Sequence, residues 1–235
     1  TKEKLGFEIP LLMPKFSVMD PCYTFSVPKK HTAAGTADIM SHTFESYFSL
    51  DDGAYLQDRF AEAVLKTCIH YGPIALKEPD NYDARANLMW AGTWAINGLL
   101  GCGKMTMWSA HPMEHELSAF YDITHGTGLA ILTPHWMRHV LNDNTVHKLA
   151  EYGVNVWGLP ADADVYKTAN AAIDKTSEFF ASLGIPMTLR EVGIGEEHLK
   201  EMAEAAVMHR SRSGKIHGFQ TLTAADVLAI YKAAL

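Results

Sequence analysis

Asp38 and His42 stand four residues apart. On a helix, positions i and i+4 share a face, so this carboxylate and this imidazole can reach one ion. The same spacing also suits an Asp–His hydrogen bond on a helix surface, and the pair alone does not separate the two. His111, His115 and His125 are more telling, because three imidazoles within fifteen residues of a largely apolar stretch are hard to account for as satisfied core residues. Imidazole is also the commonest metal ligand.

These residues can be grouped in two ways. His111-Pro112-Met113-Glu114-His115 fits the H-x-x-E-H signature of inverted zinc proteases, a metallohydrolase reading in which both histidines bind zinc and the glutamate is the general base. Pro112 argues against it, since proline directly after His111 marks a first helical turn. The signature also leaves Asp38, His42 and His125 without a role. The second grouping joins Asp38, His42, His111 and His125. On one straight helix His111 and His125 would lie roughly 21 Å apart at 1.5 Å per residue, so the chain must bend between them. Phe120–Gly126 offers a loop, with His125 near the start of the next helix. One carboxylate and three imidazoles would leave a divalent ion with net positive charge, a Lewis acid able to take a substrate oxygen.

Such a site needs three elements: a helix carrying Asp38 and His42, the start of a second carrying His111, and a loop-to-helix junction carrying His125. The pattern supplies helices. Apolar residues recur at three-to-four spacing through 33–50, 55–77, 84–100, 126–141, 146–157, 163–183, 196–209 and 224–234. Leu183-Gly184-Ile185-Pro186 reads as a helix stop, and Thr223-Ala224-Ala225-Asp226 as a capping-box start. The opening differs. Phe16, Val18 and Tyr23–Val27 are β-type residues in short runs separated by Asp20-Pro21, which predicts two short strands within 14–27. The expected fold is mainly α, preceded by a short β segment.

Gly98-Leu-Leu-Gly-Cys-Gly103-Lys104 matches G-x-x-x-x-G-K, but Met105 stands where a phosphate loop needs Ser or Thr, and a helix rather than a strand precedes it. A helix ending in a glycine-rich turn is the better reading. No G-x-G-x-x-G follows a strand. Trp90, Trp94, Met105, Met107 and Trp108 fall at helical spacing and are expected in the core, some lining a pocket. The other histidines are expected to be surface or hydrogen-bonded residues.

The balance of 20 Lys and Arg against 27 Asp and Glu, net −7, argues against a nucleic-acid partner. No run is long and apolar enough for a bilayer crossing. Cys22, Cys68 and Cys102 are odd in number and widely spaced, as in reduced thiols of a cytoplasmic protein. The chain begins at Thr1 without a signal-peptide pattern.

The segments His31–Ser46 and Ala110–Gly128, with Trp94–Lys104 between them, resemble those of the iron-containing alcohol dehydrogenases, and their wording is most similar to the butanol-dehydrogenase branch. The resemblance runs essentially end to end. It implies a dehydroquinate-synthase-like helical metal domain over 31–235, with 1–30 as the remnant of an N-terminal α/β nucleotide-binding domain whose bulk would precede Thr1. It implies that Asp38, His42, His111 and His125 bind Fe2+ or Zn2+. His115 would be the catalytic histidine near the substrate, in proton relay or positioning. Lys4 would contact the NAD(P)H cofactor. The expected reaction is NAD(P)H-dependent interconversion of primary alcohols such as butanol with aldehydes, by a full-length homodimer, with little or no activity from these 235 residues alone.

Overall fold

The computed structural model describes all residues except Thr1, Phe7, Glu8, Asp51, Asp52, Met107, Ser211 and Arg212, together with the side chains of Pro10, His209 and Arg210. Among the described residues the elements are helices: α1 (Lys29–Tyr47), α2 (Tyr55–Lys77), α3 (Tyr82–Ile96), α4 (Ala110–Tyr121), α5 (His125–Val140), α6 (Val146–Asn155), α7 (Val165–Ser182), α8 (Leu199–Arg210) and α9 (Ala224–Ala233), with short 3-10 turns between some of them. The β-structure found among these residues is one isolated bridge, Ile216 to Leu222. Among the described residues no helix is long and apolar enough to cross a membrane.

The punctuation seen in the sequence is made in the structure. At α9 the Thr223 hydroxyl accepts from the Asp226 amide while the Asp226 carboxylate accepts from the Thr223 amide, a complete capping box. Helix α7 stops at Ser182, and Gly184 follows at φ +78°, a conformation glycine adopts without a Cβ penalty. Asn81 and Asp164 cap α3 and α7 by accepting backbone amides.

The two expected strands do not form. Leu11, Phe16, Val18 and Tyr23 are exposed, and Pro21–Thr24 is a 3-10 turn. A strand needs a partner for its ladder, and none runs beside this segment among the described residues. Asp20-Pro21, read as a break between strands, instead starts the turn. The Asp20 carboxylate accepts from the Cys22 amide at 2.9 Å, and proline presets φ at the first turn position.

Helix α1 is the centre of the molecule, packing against α2, α3 and α5. It is buried on most of its circumference, with Ala33, Ala37, Met40, Phe44 and Tyr47 in the core. Its alanines allow neighbouring helices to approach closely. Helix α4 packs between α5 and α8, and α6 pairs with α7. The glycine-rich turn after α3 is structural: the Lys104 side chain is covered and donates to Asp58 Oδ1 at 2.7 Å, so its charge is used within the fold. Contrary to expectation, Trp90 and Met105 lie on the surface, 57% and 73% exposed. Trp90 nonetheless lines a surface pocket with Trp94 and Phe60, as expected for some of this set. Met107 is outside the described residues. The three cysteines are free thiols.

Candidate metal centre

The i, i+4 spacing of α1 puts Asp38 and His42 on one face, with His42 Nε2 3.5 Å from Asp38 Oδ1. Glu45, one turn further along the same helix, points toward the N-terminus of α4. Ser109 precedes that helix in αR geometry and makes no side-chain cap. Glu45 supplies the cap instead: Oε2 accepts from the Ser109 amide at 2.7 Å, and Oε1 from the Ala110 and His111 amides at 2.8 and 3.2 Å. A carboxylate there also answers the positive end of the helix dipole. His111 therefore sits in the first turn of α4, as Pro112 foretold.

The bend required between His111 and His125 is made at Asp122, which closes α4 in the left-handed region at φ +53°. Thr124 is the N-cap of α5 and His125 its first residue. The next residue sets how near α5 comes to α1. A Cβ on Gly126 would lie 2.0 Å from the Ala34 carbonyl oxygen, so only glycine lets the start of α5 rest on the backbone of α1. That contact carries His125 to Asp38.

The imidazoles converge on one oxygen. Asp38 Oδ1 lies 3.5 Å from His42 Nε2, 3.9 Å from His111 Nε2 and 3.7 Å from His125 Nε2. Asp38 Oδ1 and His111 Nε2 are buried yet have no hydrogen-bond partner. Leaving such atoms bare costs free energy, and a cation placed among them would offset that cost. A tetrahedral ion with ligand bonds of about 2.1 Å spaces its donors about 3.4 Å apart, close to the distances seen. The donor set, one carboxylate and three imidazoles, suits a borderline divalent transition metal. The residues present fit the ion.

The backs of two imidazoles are held by carboxylates. His111 Nδ1 lies 3.1 Å from Glu45 Oε1. His125 Nδ1 bonds to Glu114 Oε2, and the wholly buried Glu114 also accepts from Ser118 at 2.5 Å. His42 is held differently, with its ring edge-on to Trp108 at 5.1 Å. Trp108 packs on His111 as well, at 4.6 Å, and so forms a wall of the site.

Electrostatics follow the burial. Desolvation pushes His42 down to about 3, helped by the neighbouring imidazoles His111, His125 and His115, so it is neutral at pH 7 and can offer a lone pair. Burial, with the Lys4 charge, likewise lowers His115 to about 4. Desolvation raises Asp38 against the pull of His125 and His111. For Glu114, burial would raise the carboxyl, but the His125 bond and charge, Ser118 and Lys4 together hold it below its ordinary value.

All six residues singled out from the sequence meet here. His115 lies one turn after His111, its ring 5.5 Å from that of His125. Lys4 Nζ is at the rim, 3.3 Å from Glu114 Oε2, 3.2 Å from Ser118 Oγ and 3.0 Å from His125 Nδ1. Glu114, His115 and His125 also offer three donor atoms within 4.8 Å of one another. Glu114 is already committed to His125, Ser118 and Lys4, which leaves it poorly placed as the general base of a hydrolase. Sequence reading missed Glu45 as part of the site, weighed Glu114 only as the base of a hydrolase, and placed Trp108 only among core or pocket-lining residues. Glu45 reaches α4 from 64 to 66 positions away, and no local spacing records that contact.

Comparisons with known proteins give the chain a family. A family model described as Fe-containing alcohol dehydrogenase family, C-terminal, matches residues 32–235. The chain is 61% identical over 232 residues to NADH-dependent butanol dehydrogenase A of Clostridium acetobutylicum, covering 99% of this chain and 59% of that protein. It is 41% identical over 194 residues to the NADPH-dependent aldehyde reductase YqhD of Escherichia coli, covering 83% of this chain and 50% of that one. The solved structure of an NADH-dependent butanol dehydrogenase A from Thermotoga maritima superposes with a TM-score of 0.92 at 31% identity, over 99% of this chain and 59% of that one. The chain thus spans a little under three fifths of the length of such relatives.

Proposed function

Because the chain belongs to the Fe-containing alcohol dehydrogenase family, we propose that residues 31–235 form the metal-holding domain of an NAD(P)H-dependent alcohol dehydrogenase or aldehyde reductase. Residues 1–30 are read as the end of its nucleotide-binding domain, and the substrate as a short primary alcohol such as butanol or its aldehyde. The observation that carries the reading is the convergence of three imidazole nitrogens on the unpartnered, buried Asp38 Oδ1.

Asp38, His42, His111 and His125 would hold the ion, Fe2+ or Zn2+. When bound, such an ion supplies Lewis-acid polarisation of an alcohol or carbonyl oxygen, and a nicotinamide supplies the hydride chemistry. The chain's own residues do the rest. His42 is neutral at working pH and keeps its lone pair for coordination. Trp108, edge-on to His42 and His111, covers one side of the site and limits water there. His115, neutral for the same reason as His42, can accept the hydroxyl proton and pass it toward solvent, or hold the substrate. Lys4 is only partly covered and has its ammonium at the rim, where it can meet an anionic or hydroxyl-bearing part of the cofactor.

The test is butanal-dependent oxidation of NADH and NADPH by the chain alone and by a chimera that joins it to the N-terminal part of the Clostridium butanol dehydrogenase A. The chimera should reduce butanal with Fe2+ or Zn2+ supplied and stop on chelation, while the chain alone shows little or no turnover. A chimera fully active after complete removal of metal would overturn the reading.

A further inference from the structure

We propose that Glu45 is a positioning residue of the metal centre: by holding both the start of α4 and the Nδ1 of His111, it turns His111 Nε2 into the site. This rests on the proposed metal-binding role of His111.

The Glu45 side chain carries an unusual load. Glu45 is buried and accepts from three successive backbone amides, Ser109, Ala110 and His111, and lies 3.1 Å from His111 Nδ1. The first three contacts fix where α4 begins relative to α1. The fourth fixes how the imidazole is rotated. Glu45 Oε1 already accepts from two backbone amides, so it is set as an acceptor for His111 Nδ1 as well, which leaves the ring's lone pair on Nε2. That nitrogen is the one facing Asp38, buried and without a hydrogen-bond partner. One helix, α1, therefore carries Asp38 and His42 on the side of the ion and also the acceptor that sets the opposing histidine. Any shift of α4 along α1 would break the cap and misalign the imidazole together.

A cap alone would need no acidic partner at the imidazole, and a partner for His111 alone would need no backbone contacts. Glutamine at this position can accept through one oxygen only, and its amide nitrogen would meet a backbone N–H or the imidazole N–H, donor against donor. Outer carboxylates of this kind typically change metal affinity 10- to 100-fold when removed (about that range in other sites).

The experiment measures Zn2+ affinity of the whole chain by competition with a chromophoric chelator, and the visible spectrum of its Co2+ form. Glu45→Gln should bind Zn2+ roughly 10- to 100-fold more weakly than the parent and change the Co2+ spectrum, with helix content retained. Glu62→Gln alters a buried carboxylate that serves Tyr47, Arg59 and Asn155 away from the site, and should bind Zn2+ like the parent. Unchanged Zn2+ affinity in a less stable Glu45→Gln chain would reduce Glu45 to a helix cap and overturn the proposal. Should that variant fail to fold, nitrogen-15 NMR of the parent's histidines decides. His111 protonated at Nδ1 with Nε2 bare upholds the proposal, and the opposite tautomer overturns it. Failure of the parent to bind Zn2+ at all would instead count against the metal site itself.

Discussion

Asp38 carries the tension between stability and function in this molecule. Its Oδ1 is buried without a hydrogen bond, and desolvation raises its pKa, so in the metal-free chain the carboxylate is held at a cost. Asp38→Asn removes the buried charge with little change of shape. The metal-free variant is expected to match or exceed the parent's stability by about 1 kcal/mol in chemical denaturation, while losing most of its metal affinity. A marked loss of metal-free stability would show that Asp38 has a structural partner. At the active end, His115→Ala should keep its ion and lower kcat in the butanol-dehydrogenase chimera; loss of the ion would place His115 among the ligands. That Asp38, His42, His111, His115 and His125 come together was legible in the sequence, because metal chemistry uses few residue types and the helical period makes i, i+4 visible. Glu45 was not, and Glu114 was read only as a hydrolase base, since a glutamate on a helix looks the same whether it meets solvent, a distant backbone amide or another side chain.

At the level of elements, the site depends on how α1, α4 and α5 are held. Gly126→Ala would drive a methyl group into the Ala34 carbonyl, where backbone and not a flexible side chain must yield. The expected result is a destabilisation of about 2–3 kcal/mol and a chain that no longer retains metal, because His125 moves with the start of α5. Full retention of metal would show that α5 can shift without moving its first residue. The far helices offer a check by pH. Burial would raise Glu151, but Lys148 and Arg59 outweigh it and hold its carboxyl below the ordinary 4.5; for Asp226 burial is outweighed by Thr223 and His139, below the ordinary 3.8. In both, the unfolded chain binds protons more readily, so their stabilisation is complete above about pH 4.5 and is lost as pH falls through the depressed folded values. Thermal melts should show this loss, and Glu151→Gln should flatten part of it. Thr223→Ala should cost about 1 kcal/mol through the lost cap. The capping box and the Gly184 stop were readable because caps are local. The strands expected within 14–27 were not borne out, because β-type residues state a preference that only a neighbouring strand can satisfy.

Across the whole molecule, the proposed ion would link folding to metal. The candidate ligands come from α1 and, some seventy residues later, from the consecutive helices α4 and α5, so an ion bound there would join all three. An ion that binds the folded chain alone should raise the midpoint of thermal unfolding. At a free concentration one hundred times the Kd the gain is about 2.7 kcal/mol, or roughly 5–10 °C for a domain of this size. The most direct measurement of the central claim is elemental analysis of the purified chain after equilibration with Fe2+ or Zn2+ and removal of free ion. The account predicts one ion per chain, one in His115→Ala, and none in His42→Ala or His125→Ala. A full ion in His125→Ala, or none in the parent chain, would contradict it.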